Sequence, residues 1–123
     1  MGSSYSDPNA AVRREADRIT VAGATTEGAK FRSFQALKLK KVHAAVITAG
    51  TAVGHGYDVY HGTTSVGTIA LGTSAAGVTA SSATLNLSVA SMEQMSVKSL
   101  ADAVGVAHIV YEYEVQPEAV QTA

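Results

Sequence analysis

The chain has 123 residues, 46% of them hydrophobic, which favours one small domain with its own core. It has no Cys, which excludes a disulfide framework and a cysteine-ligated zinc site. No apolar run approaches the ~20 residues of a membrane span, so we expect no membrane association. Trp is absent and only two Phe are present. Because small side chains bury little area, we expect the domain to form an oligomer.

The formal net charge of −1 hides an uneven distribution. Residues 1–41 carry eight basic and four acidic residues, a net charge of +4. Residues 42–123 carry one basic and six acidic residues, a net charge of −5. A basic segment before an acidic body predicts that the segment contacts an acidic surface, either on a partner protein or on a neighbouring copy.

Residues 1–41 are predicted to form an N-terminal arm. Asp7 and Pro8 provide an N-cap and a first-turn signal, and apolar residues at helical spacing follow them. This pattern predicts a short helix over about residues 8–19. The Gly-, Ala- and Thr-rich sequence after it predicts an extended linker. Removal of residues 1–35 is therefore expected to leave a folded body.

The arm holds both phenylalanines of the chain, Phe31 and Phe34. Two interpretations stay open for them: they anchor the arm in a partner's pocket, or they cover the open end of the domain's own core. The basic and aromatic residues of the arm form the predicted partner-binding set, which consists of Arg13, Arg14, Arg18, Phe31, Arg32 and Phe34. Interleaved acidic residues and the acidic body argue against nucleic acid as the partner.

Residues 42–116 are predicted to form an all-β body, and residues 117–123 a C-terminal tail. Short β-branched or alternating segments recur between Gly-rich turns, which is typical of a sandwich or barrel. The segment 106–115 alternates clearly, and the segment 81–89 does so as well. Two consecutive segments are predicted to form a hairpin with its turn at Gly62, in which Gly67 marks a bulge or a close backbone approach.

No catalytic, metal or cofactor site is predicted. Gly-Thr pairs at residues 62, 67 and 72 lack the Lys of a phosphate-binding loop. His55, Asp58 and His61 are three residues apart, a spacing that alternates faces on a strand and so does not converge on a metal. No Ser/His/Asp arrangement is evident.

The order of "VHAAVITAG", "YDVYHGTTSVGTIALGTSAAG", "ATLNLSVA" and "VGVAHIVYEYEV" resembles small virion proteins of tailed bacteriophages, above all capsid decoration (cement) proteins. The resemblance covers roughly residues 42–115. It implies a β-sandwich or jelly-roll-like body, often a homotrimer, on the outer surface of the capsid. There the protein would clamp neighbouring major capsid protein subunits and stabilise the head. The resemblance implies no cofactor and no catalytic residue.

Two alternatives stay open. The first is a tail or fibre component that binds a receptor or glycan through exposed loops at residues 50–56 and 72–82. The second is a small β-sandwich hydrolase that uses Glu112 and Glu114 as a carboxylate pair. Two glutamates on a solvent-facing strand more often form a solvated face.

Overall fold

The computed structural model describes residues 27–101 and 104–116 together with the backbone of residues 12–20. Within these ranges the chain is all-β, and no helix is long and apolar enough to cross a membrane. The described residues form nine strands: β1 (Val12–Thr20), β2 (Glu27–Arg32), β3 (Leu37–Thr48), β4 (Gly56–His61), β5 (Thr64–Ala70), β6 (Thr79–Ser81), β7 (Leu87–Val89), β8 (Gln94–Leu100) and β9 (Val106–Val115).

The strands form two antiparallel sheets. The first sheet has the order β1-β9-β3-β6, and β7 pairs with the same edge of β3 as β6. The second sheet has the order β2-β8-β4-β5. The chain thus passes repeatedly between the sheets, and strands that are far apart in sequence become neighbours.

Apart from the β3–β9 and β4–β8 ladders, the strand pairs are nested around the β4–β5 turn. β4 pairs with β5, β3 with β6 and β7, β2 with β8, and β1 with β9. The chain therefore doubles back on itself around the β4–β5 turn. That turn contains Gly62 at a φ of 64°, a left-handed conformation in which glycine avoids the steric cost of a Cβ. The predicted hairpin is confirmed, including its turn.

One hydrophobic core joins the two sheets. Alternate residues of β9 are buried, and residues of β3, β4 and β8 meet them from both sheets. This burial of every second residue is what a strand with one core face and one solvent face requires. The largest fully buried side chains are Tyr57, Tyr111, Leu37, Leu39, Ile69, Met95 and Ile109.

The loops gather at two ends of the molecule. At one end, the β2–β3 loop contacts the β7–β8 turn, because the Met92 N–H donates to the Ser33 carbonyl at 2.8 Å. The Gly62 N–H donates to the Gln94 carbonyl at 2.8 Å, so the β4–β5 turn lies at this end too. We name it the Phe34 end. The opposite end, where β4 begins, holds the β3–β4 loop with Val53, and we name it the Val53 end.

The predicted arm differs from the observed structure. Val12–Thr20 is strand β1, paired with β9 along its whole length, and not the helix predicted over residues 8–19; residues 8–11 lie outside the described residues. A helix of about three turns has marginal stability without tertiary contacts. Pairing with β9, in contrast, satisfies the backbone hydrogen-bonding groups along one edge of the strand. The predicted tail, 117–123, also lies outside the described residues.

The predicted linker and domain boundary also differ from the structure. Glu27–Arg32 is strand β2, which pairs with β8, so the described part of the linker is built into the second sheet. Strand β3 begins at Leu37 and crosses the boundary predicted after residue 41. Removal of residues 1–35 would therefore take away two paired strands.

Candidate functional site

An exposed apolar patch lies at the Phe34 end. The Phe34 side chain is 85% exposed and the Met92 side chain is 52% exposed. Both belong to connections that hydrogen bonds fasten together: the Ser91 hydroxyl donates to the Phe34 carbonyl at 2.6 Å, and the Met92 N–H donates to the Ser33 carbonyl. The Phe34–Met92 patch is thus open to solvent while its backbone is held in place.

The Arg32 side chain lies beside this patch. Its Nη1 donates to the Met92 carbonyl oxygen, and its Nη2 donates to Gln94 Oε1 at 3.2 Å. The guanidinium is planar and always charged, so it fixes the turn that carries Met92 and places a cation at the border of the patch. Arg32 and Phe34, both in the predicted partner-binding set, are thereby brought together.

Glu93 fastens the same turn from the other side. Its Oε1 accepts a hydrogen bond from the Ala90 N–H and lies 2.8 Å from His61 Nε2. A carboxylate only accepts, so this His61 nitrogen carries the hydrogen. The Ala90 bond and then the His61 bond hold the pKa of Glu93 below its ordinary value. The β7–β8 turn is thus tied to the end of β4.

A polar depression of about 640 Å³ adjoins the turn on the outer side of the second sheet. Its lining includes charges of both signs: Glu27 and Glu93 against Arg32 and Lys98. Glu27 accepts a 2.6 Å hydrogen bond from the Ser96 hydroxyl. This bond, with smaller contributions from Lys30 and Lys98, lowers the pKa of Glu27. The depression therefore carries charges of both signs and presents no strong field of one sign.

The three arginines of the predicted set have another location. Arg13, Arg14 and Arg18 lie on β1, where their backbones pair with Tyr113, Glu112 and His108 of β9. They are therefore positions on a strand of the first sheet, whereas Arg32 ends strand β2 of the second sheet and Phe34 lies just after it.

The two phenylalanines differ in their surroundings. Phe31 packs against the core, with its ring centroid 5.3 Å from that of Tyr111 and 5.2 Å from that of Tyr113. This placement matches the interpretation in which the ring covers the domain's own core, and the assignment of Phe31 to the partner-binding set stays a prediction. Phe34 is the exposed one of the pair.

Basic residues of the predicted arm contact acidic residues of the same chain. Lys40 Nζ lies 3.9 Å from Glu114 Oε1 and donates to Asn86 Oδ1 at 2.9 Å. Lys30 Nζ lies 3.6 Å from Glu27 Oε1. Lys40 thus contacts a carboxylate of the acidic body of the same chain, whereas Lys30 contacts a carboxylate of the arm itself.

The histidine–aspartate–histidine spacing does not produce a cluster. His55 is 3% exposed and lies at the Val53 end, while His61 contacts Glu93 at the other end of β4. Asp58, between them, accepts a hydrogen bond from the Thr68 hydroxyl at 2.8 Å. Among the residues that the structure describes, no group of three potential ligands is placed to hold a metal ion.

Met92 is the functional candidate that sequence reasoning missed. It lies in a Ser-, Glu- and Gln-rich segment that reads as a polar turn. An apolar residue in such a turn indicates a binding surface, because its side chain gains no stability from exposure to solvent. Its φ of 67° is also uncommon for a residue other than glycine.

No family model, no curated protein and no solved structure matches the chain.

Proposed function

We propose that the protein is a capsid decoration (cement) protein of a tailed bacteriophage, whose attachment is non-enzymatic. It binds the outer surface of the capsid and clamps neighbouring major capsid protein subunits. The observation that carries this proposal is the Phe34–Met92 patch. Large apolar side chains on a fixed backbone make efficient anchors, because little conformational entropy is lost when they enter a partner's pocket.

The body is proposed to be a jelly roll. The pairing of β1 with β9, β2 with β8, β3 with β6 and β7, and β4 with β5 supports this assignment. Jelly rolls of two antiparallel sheets are common in viral capsid and lectin domains. A fold of this kind suits a structural role but does not specify it, so the proposed function rests on the exposed Phe34–Met92 patch.

The active form is proposed to be a homotrimer. The core is rich in small side chains, which supports stabilisation by association. Three copies present three patches, and attachment of the first raises the effective concentration of the others. Weak single contacts then sum to tight binding. Native mass spectrometry is expected to give three times the mass of one chain, and a monomer at all concentrations would contradict the trimer.

The proposal is tested by adding the purified protein to DNA-free capsids and to complete virions. Cosedimentation with capsids is expected, and electron microscopy is expected to show regular additional density over the shell. Density confined to the tail would contradict the proposal.

A second candidate is a tail or fibre module that binds a receptor or glycan. It is supported by Val53, which is 89% exposed in the β3–β4 loop, within the range 50–56 predicted for this role. Imaging on complete virions distinguishes the two candidates, because the second places the protein on the tail.

A further inference from the structure

A chain of hydrogen bonds crosses the outer face of the first sheet. Ser81 on β6, His43 on β3 and Glu112 on β9 lie on three neighbouring strands. Ser81 Oγ lies 2.6 Å from His43 Nδ1, and His43 Nε2 lies 2.7 Å from Glu112 Oε1. The residues are 38 and 69 positions apart in sequence, so only the sheet topology brings them together.

The direction of the hydrogen bonds follows from the chemistry of the groups. An ionised carboxylate only accepts, so Glu112 requires the hydrogen on His43 Nε2. A neutral imidazole then has a lone pair on Nδ1, and Ser81 must donate its hydroxyl hydrogen to it. The arrangement is a hydroxyl, a base that receives its proton and a carboxylate that orients the base, as nucleophilic catalysis requires.

A shallow groove lies beside this chain. It has a volume of about 380 Å³, and Ala45 and Val110 add small apolar side chains to its lining. The Ser81 hydroxyl is accessible, because Ser81 is exposed. The groove thus offers space for a short acyl group next to the hydroxyl.

A backbone donor is also available next to Ser81. The Ser82 N–H donates to the Val42 carbonyl at 2.9 Å. Because successive N–H groups of a strand point to opposite sides, the Ser81 N–H points away from β3. No strand that the structure describes pairs with that edge of β6. An N–H in this position can donate to the negative oxygen that forms when the hydroxyl attacks a carbonyl.

We propose that Ser81 is an activated nucleophile that hydrolyses carboxylic esters with short acyl chains. Its Oγ attacks the carbonyl carbon while its proton passes to His43 Nδ1. The bond to the leaving alcohol then breaks, the alcohol takes that proton, and Ser81 is left acylated. Water attacks the acyl group by the same route, which releases the carboxylic acid and restores the Ser81 hydroxyl. Glu112 acts as a positioning residue for His43.

The test uses the full chain, a fluorophosphonate as covalent probe and p-nitrophenyl acetate as substrate. Peptide mass spectrometry is expected to find one phosphonyl group, on Ser81, and p-nitrophenol release is expected above the buffer rate. Ser81→Ala should abolish both. His43→Gln should slow both about 100-fold, the contribution of a general base. Ser88→Ala removes an exposed serine of β7 and should leave both unchanged.

Glu112→Gln tests the positioning role separately. It is expected to lower kcat and leave KM within about twofold, because the carboxylate acts on the base and not on the bound ester. A Ser81→Ala variant that folds normally by circular dichroism yet reacts at the wild-type rate would overturn the proposal, as would equal labelling of Ser81 and Ser88. Either result would leave the capsid proposal standing, since that proposal rests on the Phe34–Met92 patch.

Discussion

The Tyr111 phenol of β9 donates a hydrogen bond of 2.6 Å to the Ala29 carbonyl oxygen of β2. Both residues are buried, so the bond joins the two sheets inside the core. Ala29 has a φ of 49° and lies at the register shift between Gly28 and Phe31. This bond, together with the packing of Phe31 on the same tyrosine ring, fastens β2 to the rest of the molecule.

Tyr111→Phe should therefore destabilise the fold by about 1–3 kcal/mol, because it leaves a buried carbonyl without its donor. Urea unfolding measures the change. Tyr60→Phe is the matched control: the Tyr60 ring lies 4.3 Å below the Lys98 ammonium, and this contact survives the loss of the hydroxyl. The control should stay within about 0.5 kcal/mol of the wild type. Equal losses in both variants would contradict a specific role for the Tyr111 bond.

Local patterns in the sequence predicted the strands that have one core face. In β9 the residues expected on one face, Ile109, Tyr111, Tyr113 and Val115, are all buried. The β4–β5 hairpin was also predictable, because Gly62 supplies its turn. At Gly67 the predicted bulge occurs, because the register shifts beside it; the atom nearest to an added Cβ would be a side-chain atom, Leu85 Cδ2, at 3.1 Å.

Long-range pairing was not predictable in the same way. Val12–Thr20 carries apolar residues at helical spacing, and only the free edge of β9 makes it a strand. The segment 81–89 alternates throughout, yet residues 82–86 are not strand, and Asn86 has a φ of 47°. Here tertiary contacts outweigh local preference.

Only part of the candidate site was predictable, because its residues come from distant parts of the chain. Phe34 was in the predicted set from its composition and position, whereas its neighbour Met92 comes from a connection 58 positions further along the chain. Ser81, His43 and Glu112 carry no local motif, because their juxtaposition depends on the order β9-β3-β6. When strand pairing brings distant side chains together, their spacing in the sequence forms no recognisable motif.

Gly56→Ala should destabilise the protein by at least about 2 kcal/mol, the cost of forcing atoms into an occupied space. An added Cβ would lie 2.3 Å from the Ile69 carbonyl oxygen, a backbone atom of the paired strand that cannot move without disturbing the ladder. Gly54→Ala is the control, since its Cβ would make an ordinary contact of 3.6 Å with Ala101. Thermal unfolding compares the two variants, and similar melting temperatures would contradict the close approach at Gly56.

Acid should weaken the fold through Glu27. Its pKa is held below the ordinary value of 4.5, mainly by the Ser96 hydroxyl. The folded state thus binds a proton less readily than the unfolded chain. The contribution to stability is complete above pH 4.5 and is lost as the pH falls through the folded pKa.

The measurement is the free energy of unfolding at about pH 7 and about pH 3 in the wild type and in Glu27→Gln. The variant should lose less stability between the two values than the wild type does. Ser96→Ala should have the same effect, because it removes the main cause of the lowered pKa while keeping the carboxylate. An unchanged pH dependence in both variants would show that the Ser96–Glu27 bond does not contribute.

The most direct measurement of the central proposal compares Phe34→Ser with Val53→Ser in cosedimentation with DNA-free capsids. The two side chains are 85% and 89% exposed and lie at opposite ends of the molecule, so both variants should fold normally. Phe34→Ser is expected to weaken capsid binding at least about tenfold, and Val53→Ser to bind as the wild type does. Full binding by Phe34→Ser, or a loss confined to Val53→Ser, would contradict the account.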